Sequence, residues 1–67
     1  MVDPKTVGAR LKRLRGDNPP EYVAWKVHIT KEAYMMYERG ERIPRDPTKV
    51  ELADLFDGSV QELFFDE

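Results

Sequence analysis

Side chains able to do covalent chemistry are few in this sequence. The only aliphatic hydroxyls are those of Thr6, Thr30, Thr48 and Ser59, and the only imidazole is His28. A hydrolase would have to pair one of those hydroxyls with that single base. No cysteine is present, which excludes thiolate nucleophiles, disulfides and thiolate metal sites, and a zinc set around one histidine would be almost all carboxylate. These residues point away from catalysis, metals and cofactors, and toward binding.

Charge says what would be bound. Eleven Lys and Arg stand against thirteen Asp and Glu for a net charge of −2, but the charges are segregated. Residues 5–45 carry ten basic and five acidic side chains, a net of +5, whereas residues 46–67 carry Lys49 against seven acids, a net of −6. A basic body with an acidic end suggests one surface that faces a polyanion and another that would repel it.

Sixty-seven residues suffice for one small domain, which buries only about 60% of the surface its unfolded chain exposes. The longest apolar run, Ala33 to Tyr37, is too short to cross a bilayer, and no apolar stretch after Lys5 makes a signal peptide. A cytoplasmic protein is expected.

Proline and glycine divide the chain into five short helical segments without strand-like alternation. Asp3 caps a first helix with Pro4 in its first turn, and Val7, Leu11 and Leu14 form an apolar stripe that ends at Gly16. Asn18 and Glu21 read as a capping box for a second helix, whose first turn tolerates Pro19 and Pro20 and whose inward face is Val23, Ala24 and Val27. A third helix starts at its cap Thr30 and stops at Gly40. At 100° per residue Tyr34 and Tyr37, with Glu38 beside them, face inward, and Lys31, Glu32, Met35, Met36 and Arg39 face outward. After Ile43-Pro44, Asp46 caps a fourth helix opened by Pro47, carrying Val50, Leu52, Ala53, Leu55 and Phe56 to Gly58. Ser59 and Glu62 form a second capping box for a short last helix through Val60, Leu63 and Phe64.

Two short helices joined by a tight turn, with an outward-facing side-chain row on the second of them, form the layout of a helix-turn-helix domain. The sequence also resembles, from Val7 to Phe64, the Cro and lambda-repressor-like (XRE) family of bacterial and phage regulators. The likeness is carried by Arg10-Leu11-Lys12-Arg13-Leu14-Arg15, Val23-Ala24, Ile29-Thr30, Glu38-Arg39-Gly40-Glu41-Arg42, Pro44, Leu52-Ala53 and Ser59-Val60-Gln61-Glu62-Leu63. It implies an all-α, five-helix lambda-repressor-like domain over residues 1–67, with the helix-turn-helix proper at about 19–39. It also implies a sequence-specific DNA-binding transcriptional regulator.

The resemblance further implies that Ala24 lets the second helix pack closely on the third, and that Arg13 and Glu38 form an ion pair between the first and third helices. The base-reading positions fall on Lys31, Glu32 and Met36, with Met35 adjacent and Arg39 at the far end. Lysine suits guanine, glutamate suits cytosine N4 and methionine suits a thymine methyl. Arg39, Arg42, Arg45 and Lys26 would hold phosphates, which set register without reading sequence.

Three positions depart from the family. Pro20, preceded by Pro19, replaces the usual glutamine at the start of the second helix and removes N–H donors that would meet a phosphate. His28 occupies a turn position usually held by glycine, which needs positive φ. Asp46 and Pro47 stand where relatives tend to meet the backbone, and an aspartate there repels phosphate.

A second function class fits the same face. Met35 and Met36 with Trp25 would make an adaptable apolar patch typical of protein interfaces, turning the fold into a protein-binding module of antirepressor or antitoxin-like kind. For a DNA reader this small, a homodimer is expected, with Phe65, and Leu63 and Phe64 beside it, at the interface. The alternative is that Phe65 folds back over Val60 or the first helix. No small-molecule ligand is expected.

Overall fold

The structure is a computed structural model that describes residues 2–67. Four α-helices, α1 (Pro4–Arg15), α2 (Pro20–Lys26), α3 (Lys31–Arg39) and α4 (Asp46–Leu55), precede a single π-helical turn, Gln61–Phe65. No strand occurs among the described residues.

Local chemistry explains most boundaries. Asp3 is the N-cap of α1, accepting from Thr6 N at 2.9 Å and from the Thr6 hydroxyl at 3.0 Å. Thr30 caps α3 by accepting from Ala33 N at 3.1 Å, and Gly40 closes that helix with φ 75°. The Ser59–Glu62 box is reciprocal: Glu62 N donates to Ser59 Oγ and Ser59 N donates to Glu62 Oε1.

Two caps fall elsewhere than the sequence suggests. The cap of α2 is Pro19, with ψ 148° and no side-chain bond, rather than Asn18. A residue before proline is pushed out of the helical region, so Pro20 forces Pro19 into the extended cap conformation. Asn18 instead offers its carbonyl to Arg15 at 2.9 Å. At α4 the extended cap is Arg45, and Asp46 is the first helical residue, paired with Lys49 at 3.4 Å.

The core is built from Val7 and Leu11 of α1, Val23 of α2, Tyr34 of α3, Leu52 of α4 and Phe64 of the π turn, all fully buried. Leu14 continues the α1 stripe but is 40% exposed, because its turn of helix projects past the end of this cluster. The chain ends meet: Val2 N donates to Phe64 O at 3.3 Å, and the Arg10 guanidinium reaches the carbonyls of Glu62, Leu63 and Asp66. Arg10 thus satisfies carbonyls that the short π turn leaves without intrahelical donors. Lys49 is buried with its ammonium 5.8 and 5.3 Å from the ring centroids of Phe64 and Phe65.

Burial also corrects the dimer surface. Leu63 is 5% and Phe64 0% exposed, so both belong to the core rather than to an interface. The π turn packs on α1 and winds both into the core, and of the three only Phe65 stays open, beside Lys49.

Candidate nucleic-acid interface

The position of α3 is set first by α1. A Cβ on Gly8 would lie 2.2 Å from the Glu38 carbonyl oxygen and 2.7 Å from that of Tyr37, so α1 and α3 cross with backbone against backbone. Only glycine permits this approach. Gly8, Lys12 and Arg15 recur at i, i+4 and i+7, which puts Arg15 on the same face of α1 as the crossing.

Arg15 accordingly makes the ion pair expected of Arg13. Its Nε and Nη2 donate to Glu38 Oε2 and Oε1 at 2.6 and 3.0 Å, and the side chains are 15% and 3% exposed. Arg13, two residues earlier on the helical wheel, is exposed and borders a hollow with Leu14 and Phe56. Burial would raise the Glu38 carboxyl, but the hydrogen bonds and positive charge of Arg15 hold it below the ordinary carboxylate range. The Arg15 guanidinium is driven up chiefly by its bond to Glu38. Burial, reinforced by the Glu38 charge, pushes the Tyr34 hydroxyl far above its ordinary value. That hydroxyl is enclosed beside the pair and closes no hydrogen bond among the described residues.

The turn between α2 and α3 fixes the angle at which α3 is presented. Val27 N donates to Val23 O at 3.1 Å and Ile29 N to Ala24 O at 3.0 Å, with His28 between them at φ 62°. His28 is thus the turn residue expected, in a region histidine reaches at some strain. Its ring is 81% exposed and lies 3.9 Å from Glu51. Ala24 is buried, 2% exposed, on α2, which packs against α3.

With α3 so held, Tyr34 and Tyr37 are buried and Lys31, Glu32 and Arg39 are exposed. Met35 and Met36 are half-buried, and Met35 packs against the core. The expectation of outward methionines is therefore corrected at Met35, which joins the apolar cluster from the edge of α3. Lys31 Nζ is 3.7 Å from Glu21 of α2, and Arg39 Nε is 3.4 Å from Glu41. Arg42 and Arg45 are exposed beyond the C-terminus of α3. Lys26 turns onto the outer side of α2, its ammonium 6.0 Å from the Tyr22 ring and 5.8 Å from the Trp25 ring. Among the described residues, no three acidic or histidine side chains gather as a metal site would require.

Sequence reasoning missed Gly8, Arg15 and Arg10. The spacing of Gly8 with Arg15 was visible in the sequence, but nothing in it said which face of α1 meets α3.

Solved structures share this fold. The clp gene regulator ClgR from Corynebacterium glutamicum superposes with a TM-score of 0.81 at 17% identity, covering 94% of this chain and 69% of that one. A second structure of ClgR gives 0.77 at 17% identity, covering 94% and 84%. The fold is a helix-turn-helix fold. The SOS-response transcriptional repressor LexA from Eubacterium rectale agrees, with a TM-score of 0.77 at 21% identity over 100% of this helix-turn-helix chain and 77% of its own. No family model matches the sequence, and no curated protein matches it. Among the described residues no helix is long and apolar enough to cross a membrane.

Proposed function

We propose that this chain is a sequence-specific DNA-binding transcriptional regulator of phage or bacterial type, acting in the cytoplasm and entering the major groove with α3. The observation that carries the reading is the solvent face of α3. Lys31 as donor, Glu32 as acceptor and Arg39 at the far end stand exposed on a helix whose opposite side is fixed by Gly8 and the Arg15–Glu38 pair. A rigid helix presenting a donor, an acceptor and apolar edges is what base-edge recognition needs. Arg42, Arg45 and, more laterally, Lys26 would meet the phosphates.

The carboxylates beside Lys31 and Arg39 do not block this. Exposed pairs contribute only about 0–1 kcal/mol, so a phosphate or guanine edge replaces Glu21 or Glu41 at little cost. The longest dimension of the domain is 27 Å, short of the roughly 34–36 Å of one DNA turn. One copy therefore reads one half-site, and a homodimer would read a palindrome.

The test is affinity selection of the protein on random-sequence duplex DNA at two salt concentrations, repeated with Lys31→Ala/Arg39→Ala. Enrichment of a motif, lost in the double variant and weakened at high salt by roughly 0.9 log units per neutralised phosphate, supports the reading. Absence of salt-dependent binding sinks it. The second reading, a protein-binding module of antirepressor or antitoxin-like kind, is favoured by Glu21 and Glu41 already sitting on the two key cations and by Pro19 and Pro20 at the start of α2.

A further inference from the structure

We propose that a trough between α1, α2 and α4 is the surface through which a second copy of this chain binds, in an arrangement that leaves the outward face of α3 free. Three adjoining hollows form it. One of about 420 Å³ lies between Arg13, Leu14 and Phe56. The next, of about 300 Å³, shares Leu14 and Phe56 and extends to Tyr22. The third, of about 430 Å³, lies between Lys26 and the last turns of α4 and shares Leu55 with the second.

Apolar side chains stand open along it between the charged ones. Leu14 is 40% and Tyr22 41% exposed, Leu55 and Phe56 are half-buried, and Trp25, 72% exposed, extends the patch along α2. Exposed apolar side chains drawn together from three elements mark an interaction site. Leu14 lies on the stripe that elsewhere fills the core, and past the end of that core it stands open to the trough.

The rim says which partner fits. Arg13 of α1 and Lys26 of α2 border one side, whereas Glu51, Asp54 and Asp57 border the side formed by α4 and its end. A two-fold axis along the trough lays the basic border of each copy on the acidic border of the other, so the surface is complementary to itself. Glu51 has His28 3.9 Å away, but the end of α4 has no cation of its own. The last turn of α4 contains Asp54 and no basic residue, although a helix C-terminus favours cations. Lys26 and Arg13 of a second copy would supply them. None of Lys31, Glu32, Met35, Met36 or Arg39 lines the trough, so this pairing leaves the base-reading row of α3 free and draws only Lys26 from the residues assigned to DNA.

The experiment is sedimentation equilibrium of the full chain from low micromolar to several hundred micromolar, following the emission of Trp25, the single tryptophan. The proteins compared are the wild type, Lys26→Glu, Asp54→Lys and the double variant. Both positions are exposed, and circular dichroism verifies that each variant folds. The expected result is a mass rising toward twice the 7.9 kDa of one chain with a blue shift of Trp25. Each single reversal should weaken association by about tenfold or more, and the double reversal should recover most of it. A wild type that stays monomeric throughout overturns the proposal. So does a dimer indifferent to both single reversals, which would place the contact elsewhere, or a double variant no better than the singles.

Discussion

Arg15 holds both carboxylate oxygens of Glu38, at 2.6 and 3.0 Å, across the point where α1 crosses α3. Glu38 is nearly enclosed, so removing the guanidinium leaves a buried charge without a partner. Arg15→Ala should cost about 3–5 kcal/mol, whereas Arg13→Ala, at an exposed position, should stay within about 0.5 kcal/mol. Urea unfolding of the two variants distinguishes them, and equal losses would refute the assignment.

The same pair sets the acid limb of stability. The folded Glu38 carboxyl is depressed relative to its ordinary value of 4.5, so its contribution is fully present above that value and fades as pH falls through the lower folded one. At the alkaline end Tyr34 is raised above its ordinary 10.0. Its protonated form is favoured by folding, and stability should decline as pH rises past 10. Thermal melts across pH should show Glu38→Gln flattening the acid limb and Tyr34→Phe flattening the alkaline one.

At Gly8 a single methyl group should be enough to displace a helix. Its Cβ would overlap the Glu38 and Tyr37 carbonyls, and backbone cannot yield as a side-chain tip does. Gly8→Ala should destabilise by about 1–3 kcal/mol or more despite the better helix propensity of alanine. A neutral or stabilising result in chemical denaturation would contradict the close crossing.

His28 holds φ 62° without any side-chain bond within the turn. His28→Gly should relieve roughly 1 kcal/mol of backbone strain, offset in part by the entropy glycine adds to the unfolded chain. His28→Ala should relieve none, being equally strained. Glycine melting above alanine verifies this; the reverse order would mean that the ring contributes through Glu51.

On the DNA-binding reading, Lys31 and Arg42 should fail differently. Lys31→Ala should lose about 1–3 kcal/mol of discrimination at one base pair, while Arg42→Ala should weaken all sequences alike and lower the salt slope by about one phosphate. Titrations against matched and singly mismatched operators at several salt concentrations measure both effects. Identical behaviour of the two variants would remove Lys31 from base readout.

The sequence determined the helices where boundaries depend on neighbours along the chain. Asp3, Thr30, Gly40 and the Ser59–Glu62 box act within four residues of themselves, so their chemistry is written locally. The inward tyrosines and the turn at His28 were legible for the same reason, since periodicity and φ preference are local properties. The α2 cap was misplaced because two prolines compete for it, a steric contest that the Asn18–Glu21 pattern conceals.

What only tertiary structure decided concerns partners far apart in sequence. Arg13 and Arg15 are equally basic, and only the crossing at Gly8 turns Arg15 toward Glu38. Leu63, Phe64 and Phe65 are equally apolar, and only the winding of the π turn buries two and leaves the third beside Lys49. Leu14 lies on the same stripe as Leu11, and the extent of the core, not the stripe, leaves it open to the trough. Propensity and periodicity fix which way a side chain points from its own helix; what it meets there is fixed by packing between helices.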